Sequence, residues 1–216
     1  MERLPLFPLR TPLFPGMELP LRIFEERYKL MIDRCLEEGA PFGVALIRSG
    51  EEVGGPAEPH DVGCTARVVT VQRFPDGRMN LVALGERRFR IAGLDTTEPY
   101  LAGDVELLAS EGGGTPEAAD AAGRVAALFA ERCRLVLSIT GQWVRGFELP
   151  DEPDALADHV AARMEASPLV KQELLEALSV PVRLRREAEL LDETIRTLTA
   201  RWEEEQRKKV AGPVLN

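Results

Sequence analysis

Ser167 and Lys171 come nearest, in residue type and spacing, to a catalytic pair. They are four positions apart in a predicted helix, so the lysine amine is within reach of the serine hydroxyl that it would activate. Ser167 is followed by Pro168, however, and a serine before a first-turn proline is typical of a helix N-cap. The pattern therefore favours a capping serine and an exposed lysine over a catalytic pair.

Other catalytic and cofactor motifs are absent from the sequence. No Gly-Lys pair exists, which excludes a phosphate-binding P-loop, and neither GxSxG nor HExxH occurs. The acidic pairs, such as Glu25-Glu26 and Glu51-Glu52, lie on predicted helix faces or in polar loops rather than in a shielded cleft. Two histidines and three widely spaced cysteines provide little material for a metal site or a disulfide framework. We therefore predict no catalytic residue, no cofactor and no metal.

Two arginine clusters are the candidates for phosphate contacts. They are Arg87-Arg88-Phe89-Arg90 in a predicted strand and Arg183 to Arg186 at the start of the last predicted helix. Nucleic-acid binding needs a broad cationic surface. The chain has 27 Lys and Arg against 36 Asp and Glu, and its net charge of −9 divides almost evenly between its halves. Ion pairing with the abundant acids is the favoured interpretation, and no nucleic-acid partner is expected.

Aromatic residues make up 6% of the chain, and most of those in the first half must be buried. Exposed aromatics would instead form an apolar groove for extended polypeptide, beside a sheet edge that supplies backbone hydrogen bonds. We expect Phe14, Phe74 and Tyr100 to be exposed, because each lies next to a proline-containing turn. The predicted peptide-binding residues are therefore Leu13, Phe14, Phe74 and Tyr100, and the alternative is a core position for each.

The first half of the chain has the pattern of a β domain with one helix. Short apolar runs broken by Gly, Pro and Asp predict strands over Leu4–Phe7, Met17–Ile23, Phe42–Arg48, Gly63–Phe74, Met79–Leu84, Arg87–Leu94 and Leu101–Leu108. The segment Pro75-Asp76-Gly77 predicts a hairpin turn. Apolar spacing of three and four predicts a helix over Phe24–Glu38 that ends at Gly39. Strands of this spacing favour a small barrel or a strongly bent sheet.

The second half has the apolar spacing of helices. It predicts four of them, over Pro116–Leu137, Pro153–Met164, Pro168–Leu178 and a last one from about Leu184 to Lys209. We therefore predict an α+β protein with a β domain at 1–108, a flexible connector at 109–116, a helical bundle at 117–209 and a tail at 210–216.

The first half also contains an ordered series of motifs. They are Leu4-Pro5-Leu6-Phe7-Pro8-Leu9, Leu13-Phe14-Pro15-Gly16, Leu19 to Tyr28, Phe42-Gly43-Val44, Val62-Gly63-Cys64, Gly77 to Leu81, Gly85 to Ile91 and Pro99-Tyr100-Leu101. In this order the motifs resemble the N-terminal substrate-binding domain of Lon protease, and more closely the stand-alone bacterial proteins of that domain. The resemblance covers residues 2–205 in layout and 2–108 in motif.

The resemblance implies a PUA-like β pseudo-barrel followed by the helical bundle. It implies binding of unfolded or extended polypeptide, through the exposed apolar segments of unfolded or damaged proteins. It does not imply an enzyme, because the ATPase and Ser-Lys peptidase modules of Lon have no counterpart in this sequence. A protease or a chaperone is the expected protein partner. The alternatives are an RNA-binding PUA-like module and a scaffold or adaptor in a proteolytic or other assembly.

The expected location is the cytoplasm, without a membrane. Five prolines between Pro5 and Pro20 interrupt every early apolar run before it reaches the length of a signal-peptide core. No stretch of 18 apolar residues occurs, so no membrane span is predicted. The three cysteines are expected to be free thiols.

Overall fold

The computed structural model describes residues 2–141 and 148–210, whose strands and helices confirm the predicted α+β class. The chain divides into two compact units, Met1–Glu111 with Ala161–Leu178 and Gly112–Val160 with Ser179–Asn216. The predicted domain limits stay a prediction, and the contacts add a feature that those limits do not include, since the chain returns to the first unit at Ala161. The predicted tail after residue 210 lies outside the described residues.

The described residues of the first unit form six strands. They are β1 (Glu2–Leu9), β2 (Glu18–Ile23), β3 (Phe42–Gly50), β4 (Ala57–Arg73), β5 (Met79–Asp95) and β6 (Ala102–Leu107). The predicted strands Met79–Leu84 and Arg87–Leu94 are one continuous strand, so the predicted separation at Gly85 is wrong. Gly85 instead allows a close approach, because a Cβ at this position would lie 2.2 Å from the carbonyl oxygen of Phe14.

The sheet returns on itself. Its order is β2-β5-β4-β3-β1-β6, and β6 also pairs with β5, so that five strands form a ring. β1 and β3 are parallel, and the remaining pairings are antiparallel. β4 and β5 have 17 residues each, and their ends nearest the hairpin lie beyond the ring. There, residues 67–73 of β4 and 79–84 of β5 pair with each other, and β2 pairs with β5. We call these three segments the extension.

β1 contributes to two apolar cores because its side chains alternate between faces. Leu4 and Leu6 pack with Phe89 in the core of the ring. Phe7 and Leu9 belong to a larger second core, which also contains residues of β2 and of the following helix. β1 therefore belongs both to the core of the ring and to the core beneath the surface beside β2.

The Phe89 ring occupies the space beside two glycines of the neighbouring strands, and it leaves no room for a side chain at either of them. A Cβ built on Gly43 would lie 2.8 Å from the Phe89 Cζ atom, and one on Gly63 would lie 2.5 Å from the same atom. Real Cβ atoms do not approach other heavy atoms this closely. The two glycines are therefore required by the packing of one aromatic ring.

The helix of the first half is α1 (Glu26–Glu38). It buries Tyr28, Met31, Ile32 and Cys35 against the second core, and it ends at Gly39 with φ of 63°, as predicted. It begins at Glu26 rather than at Phe24, because Glu25 is extended, with φ of −76° and ψ of 135°. This difference of two residues places Phe24 outside the helix.

The turn at Pro75-Asp76-Gly77 is confirmed. Gly77 has φ of 78°, and its N–H donates to the Phe74 carbonyl at 2.9 Å. The Asp76 carboxylate accepts from the Arg78 backbone N–H at 3.1 Å and from its Nε at 2.6 Å. These hydrogen bonds, the backbone one first, lower the pKa of Asp76 below its ordinary value of 3.8.

Four predicted helices are confirmed in the second half. They are α2 (Pro116–Thr140), α3 (Pro153–Arg163), α4 (Pro168–Glu176) and α5 (Val180–Val210). Thr115 and Ser167 cap α2 and α4 by accepting from the backbone N–H groups of Ala118 and Val170. Within the described ranges, no helix has the length and apolar content that crossing a bilayer requires.

α4 packs in the first unit, with the β strands. The Gln172 side-chain amide donates to the Val62 carbonyl of β4 at 2.9 Å. Arg88 of β5 is buried, and its Nε donates to the Leu175 carbonyl at 3.0 Å. These contacts join α4 to the two long strands at the level of the ring.

α2 and α5 run parallel to each other in the second unit. Arg124 pairs with Asp192 at 2.7 Å, and Arg185 pairs with Glu117. Both pairs span 68 positions in the same direction, which requires parallel helices. The pair of Arg185 with Glu117 agrees with the ion pairing that the sequence favoured for the arginine cluster at the start of α5.

Candidate functional site

β2 is the terminal strand of the sheet. It pairs with β5, and no other strand in 2–141 or 148–210 pairs with its second edge. Beside it lies a cavity of about 270 Å³, which we call the edge groove. The lining comes from β1, from residues 20–23 of β2, from residues 24, 25 and 28, and from the loop at 52–53, but not from β5. The edge groove therefore lies on the unpaired side of β2.

Two apolar side chains are exposed at the edge groove. Phe24 is 48% exposed and Val53 is 56% exposed, whereas Phe7, Leu9 and Ile23 in the lining are buried. Isolated exposed apolar residues are ordinary, but here they border a cavity with an apolar wall. An unpaired strand edge next to such a groove is the arrangement that binds extended polypeptide, with backbone hydrogen bonds from the strand and apolar contacts from the groove.

A local ion pair holds the loop that carries Val53. The Glu25 carboxylate accepts from the Gly54 backbone N–H at 3.2 Å and lies 3.0 Å from the Arg27 guanidinium. Arg27 in turn donates to the Gly55 carbonyl at 3.2 Å. Both partners are less than one third exposed, so solvent screens the pair only in part. The contacts fix the loop to the start of α1 and thereby position Val53 beside Phe24.

Tyr28 forms the floor shared by the edge groove and a second cavity. Its ring lies 4.1 Å from the Phe7 ring, centroid to centroid, and 4.5 Å from the Arg27 guanidinium carbon. Burial raises the pKa of Tyr28, and this effect exceeds the lowering by Arg27; the carboxylates of Glu25 and Glu52 raise it further. Tyr28 therefore remains a neutral phenol at physiological pH.

The second cavity, which we call the tyrosine pocket, has a volume of about 260 Å³. Its lining includes Tyr28, Tyr100 and the prolines at 8, 56 and 99. The Tyr100 hydroxyl accepts from Arg34 at 2.7 Å, which keeps this side chain in place. Tyr28 lines both the edge groove and the tyrosine pocket, and the tyrosine pocket also contains the charged residues Arg27 and Glu98.

Leu13 and Phe14 are fully buried, so the expectation that Phe14 is exposed is wrong. The chain before β2 is hydrogen-bonded to β5, because the Gly16 N–H donates to the Gly85 carbonyl at 2.8 Å and the Gly85 N–H donates to the Met17 carbonyl at 2.9 Å. With the backbone held in this position, the side chains of Leu13 and Phe14 are buried. Gly16 has the positive φ expected of a turn, but Phe14 before it lies in the core rather than at the surface.

Tyr100 is also buried, with 4% exposure, so its expected exposure is wrong as well, although it lines the tyrosine pocket. Leu13 and Tyr100 share the second core. Phe74 is half-buried at the β4–β5 hairpin, where its N–H donates to the Arg78 carbonyl at 2.9 Å. The assignment of these residues, with Phe14, to peptide binding stays a prediction.

Phe24 and Val53 are the residues that the sequence interpretation missed. Helical spacing assigns Phe24 to the buried face of a helix, and only the extended Glu25 places it outside. The exposure of Val53 could have been predicted from the sequence, because Val53 is a lone apolar residue between Glu51-Glu52 and Gly54-Gly55. An isolated apolar side chain in a polar loop has no predicted core to enter.

The remaining reactive side chains have structural partners. Ser167 caps α4, and Lys171 donates to the Ala162 carbonyl at 2.9 Å, while burial lowers the pKa of Lys171. Burial also raises the pKa of Cys35 to about 11, which keeps it a thiol at neutral pH. Arg183 is buried beside Asp154. In the described ranges, no three His, Cys, Asp or Glu residues cluster as metal ligands would.

Comparison with known proteins gives one family over most of the chain. Residues 3–193 match the family model described as the ATP-dependent protease La (LON) substrate-binding domain. A Lon protease of Dictyoglomus thermophilum is 27% identical over 186 residues, which cover 86% of this chain and 24% of that protein. The chain spans about a quarter of the length of the curated relatives that it matches.

Two solved structures have a similar fold. The crystal structure of a Lon N-terminal domain protein from Xanthomonas campestris aligns with a TM-score of 0.64 and 25% identity, over 86% of this chain and 96% of that one. The N-terminal domain of a Lon protease from the Mycobacterium avium complex aligns with a TM-score of 0.65 and 22% identity, over 88% and 98%. The second likeness concerns the fold alone.

Proposed function

Because this chain belongs to the ATP-dependent protease La (LON) substrate-binding domain family, we propose that it binds exposed apolar segments of unfolded or damaged proteins in the edge groove. The observation that carries the proposal is the unpaired edge of β2 beside Phe24 and Val53. An extended segment would add to β2 through backbone hydrogen bonds and place its apolar side chains in the groove.

The tyrosine pocket supplies a second subsite in this proposal. Tyr28 lines both cavities, and in this proposal one extended chain would reach from the edge groove into the tyrosine pocket. Tyr100 lines this pocket and is the one predicted peptide-binding residue that the proposal uses directly. Leu13 and Phe14 support the surface from the core.

The proposed role is recognition without catalysis. The family model is that of a substrate-binding domain, and Ser167 and Lys171 each have a structural hydrogen-bond partner. We further propose that a protease or a chaperone receives the bound polypeptide and that no nucleic acid takes part. A cytoplasmic setting suits three free cysteines, two of which are buried.

The test is the affinity of the full chain for a fluorescently labelled model protein, held unfolded by reduction and alkylation, and for the same protein in its folded form. We expect binding of the unfolded form only. Phe24→Ala should weaken it about tenfold, the usual scale for losing one aromatic contact at the centre of an interface. Equal affinities for the unfolded and the folded form, measured by fluorescence anisotropy, would contradict the proposal.

The matched control is Leu94→Ala. Leu94 lies on β5 and is 49% exposed, against 48% for Phe24, but it does not line the edge groove. Its substitution removes a similar exposed apolar area and should leave the affinity unchanged. If Leu94→Ala weakens binding as much as Phe24→Ala, general surface hydrophobicity rather than the edge groove determines binding.

A further inference from the structure

Arg22 is the charged side chain of the edge groove that has no internal partner. It is exposed on β2, and it makes no ion pair or side-chain hydrogen bond with the part of the chain that the structure describes. The carboxylates of the groove are already engaged, since Glu25 pairs with Arg27 and Glu52 accepts from the Arg10 backbone N–H at 2.9 Å. Glu52 keeps its negative charge, but its carboxylate is held by the loop at the other side of the groove, and Arg22 is the cation of the lining that has no carboxylate partner in the described residues.

The neighbours of Arg22 in the sheet do not neutralise this charge. The register places Arg22 opposite Asn80 of β5, and Asn80 opposite Gln72 of β4. All three are exposed and line a shallow cavity of about 560 Å³, in which Arg22 is the one ionisable residue. Arg22 thus lies between this cavity and the edge groove, and it lines both.

Arg22 and Phe24 have a spacing that an extended chain can match. Both are exposed, whereas Ile23 between them is buried, so they lie on the same side of the backbone. Residues two apart in a strand are separated by about 7 Å. In a paired strand, residues two apart on the partner face the same two positions. Pro20 lacks an N–H group and therefore cannot donate a backbone hydrogen bond to an added strand.

Resting on the proposed function, we propose that the edge groove selects an extended peptide with a side-chain carboxylate two positions from an apolar anchor. The carboxylate pairs with Arg22 and the apolar side chain packs on Phe24. A carboxylate three positions from the anchor would point to the opposite side of the peptide strand and would not reach Arg22. The charge and its spacing therefore act as a selection rule in addition to apolar content.

The experiment measures binding of short labelled peptides, with both termini blocked, to the full chain at low salt. The peptides carry Asp-Ser-Leu or Asn-Ser-Leu in a Gly-Ser background, in both sequence orders, together with Asp-Ser-Ser-Leu. In at least one order, Asp-Ser-Leu should bind about three- to fivefold more tightly than Asn-Ser-Leu, the scale of an exposed ion pair. Asp-Ser-Ser-Leu should have no such advantage.

Protein variants assign the effect to one residue. Arg22→Gln should remove the preference for Asp-Ser-Leu over Asn-Ser-Leu. Arg90→Gln changes the net charge equally at an exposed arginine of β5 that does not line the groove, so it should retain the preference. A loss of preference in Arg90→Gln as large as in Arg22→Gln would overturn the assignment, because it would indicate a general charge effect.

The outcomes separate this inference from the proposed function. Equal binding of Asp and Asn peptides in both orders, with a further loss in Phe24→Ala, would overturn the selection rule and leave apolar polypeptide binding in place. Failure of every peptide and of the unfolded model protein to bind would overturn both. An equal advantage for Asp-Ser-Ser-Leu would overturn the strand register that the rule requires.

Discussion

In the ring, every strand has two hydrogen-bonded neighbours, whereas in the extension β2 has one. The same two long strands, β4 and β5, serve both regions. In the ring they enclose Phe89, which is fully buried, and beside the extension Phe24 and Val53 are exposed. Closure satisfies backbone groups and leaves no edge, while a single unpaired edge leaves donors and acceptors available. The closed ring therefore has the packing expected of a stabilising core, and the open edge of β2 is where the proposed binding would take place.

The largest expected effect tests the ring. Phe89→Ala should lower the free energy of unfolding by about 3–5 kcal/mol, because it empties a core in which Gly43 and Gly63 cannot fill the space. Urea unfolding followed by circular dichroism measures this change. A loss below about 1 kcal/mol would mean that the ring is not the stabilising region.

The next effect tests the contact between α4 and the ring. Gln172→Ala should cost about 1–3 kcal/mol, since it removes the donor to the buried Val62 carbonyl. The control is Glu173→Ala, at the exposed neighbouring position of the same helix. Equal denaturation midpoints for the two variants would show that the hydrogen bond does not hold α4 in the first unit.

A smaller effect is expected beside the extension. Phe24→Ala should change the free energy of unfolding by no more than about 0.5 kcal/mol, because Phe24 is half exposed. Phe42→Ala, at a fully buried position of the second core, is the matched substitution that should destabilise the protein strongly. If Phe24→Ala destabilises as Phe42→Ala does, then Phe24 serves stability and the contrast between the two regions fails.

The smallest effect is a proton equilibrium at the tip of the extension. The pKa of Asp76 lies below 3.8, so its contribution to stability is present above pH 3.8 and is lost as the pH falls through the lower folded value. Carboxyl titration by NMR should give this lowered pKa. Removing the Arg78 guanidinium in Arg78→Ala should raise it partly, because the backbone N–H bond remains. An ordinary pKa for Asp76 in the wild-type chain would contradict the hydrogen bonds of the turn.

Features that depend on local chemistry could be predicted from the sequence. The turn at Gly77, the end of α1 at Gly39 and the caps at Thr115 and Ser167 are all confirmed. Each results from a preference within four residues along the chain, such as left-handed φ for glycine or a hydroxyl acceptor at a helix N-terminus. The residues that determine these features are neighbours along the chain, so the sequence alone identifies them.

Features that depend on distant contacts could not be predicted. Gly85 resembles a strand end until the Phe14 carbonyl is placed against it, and the burial of Phe14 follows from the same contact. The candidate site has the same origin, because the edge groove exists only where β1, β2 and the loop carrying Val53 meet. The family resemblance indicated polypeptide binding, but it did not indicate Phe24 or Arg22.

The position of α4 has a consequence for synthesis on the ribosome. Val62 precedes its partner Gln172 by 110 positions, and Arg88 precedes Leu175 by 87. Residues 112–160, which belong to the second unit, are made in the interval. At about 5–20 residues per second, the nascent first unit waits about 3 to 13 seconds between the synthesis of Glu111 and the end of its last helix. During that time Val62 and Arg88 lack the hydrogen bonds that they form with α4, so the unit matures late although its six described strands emerge first.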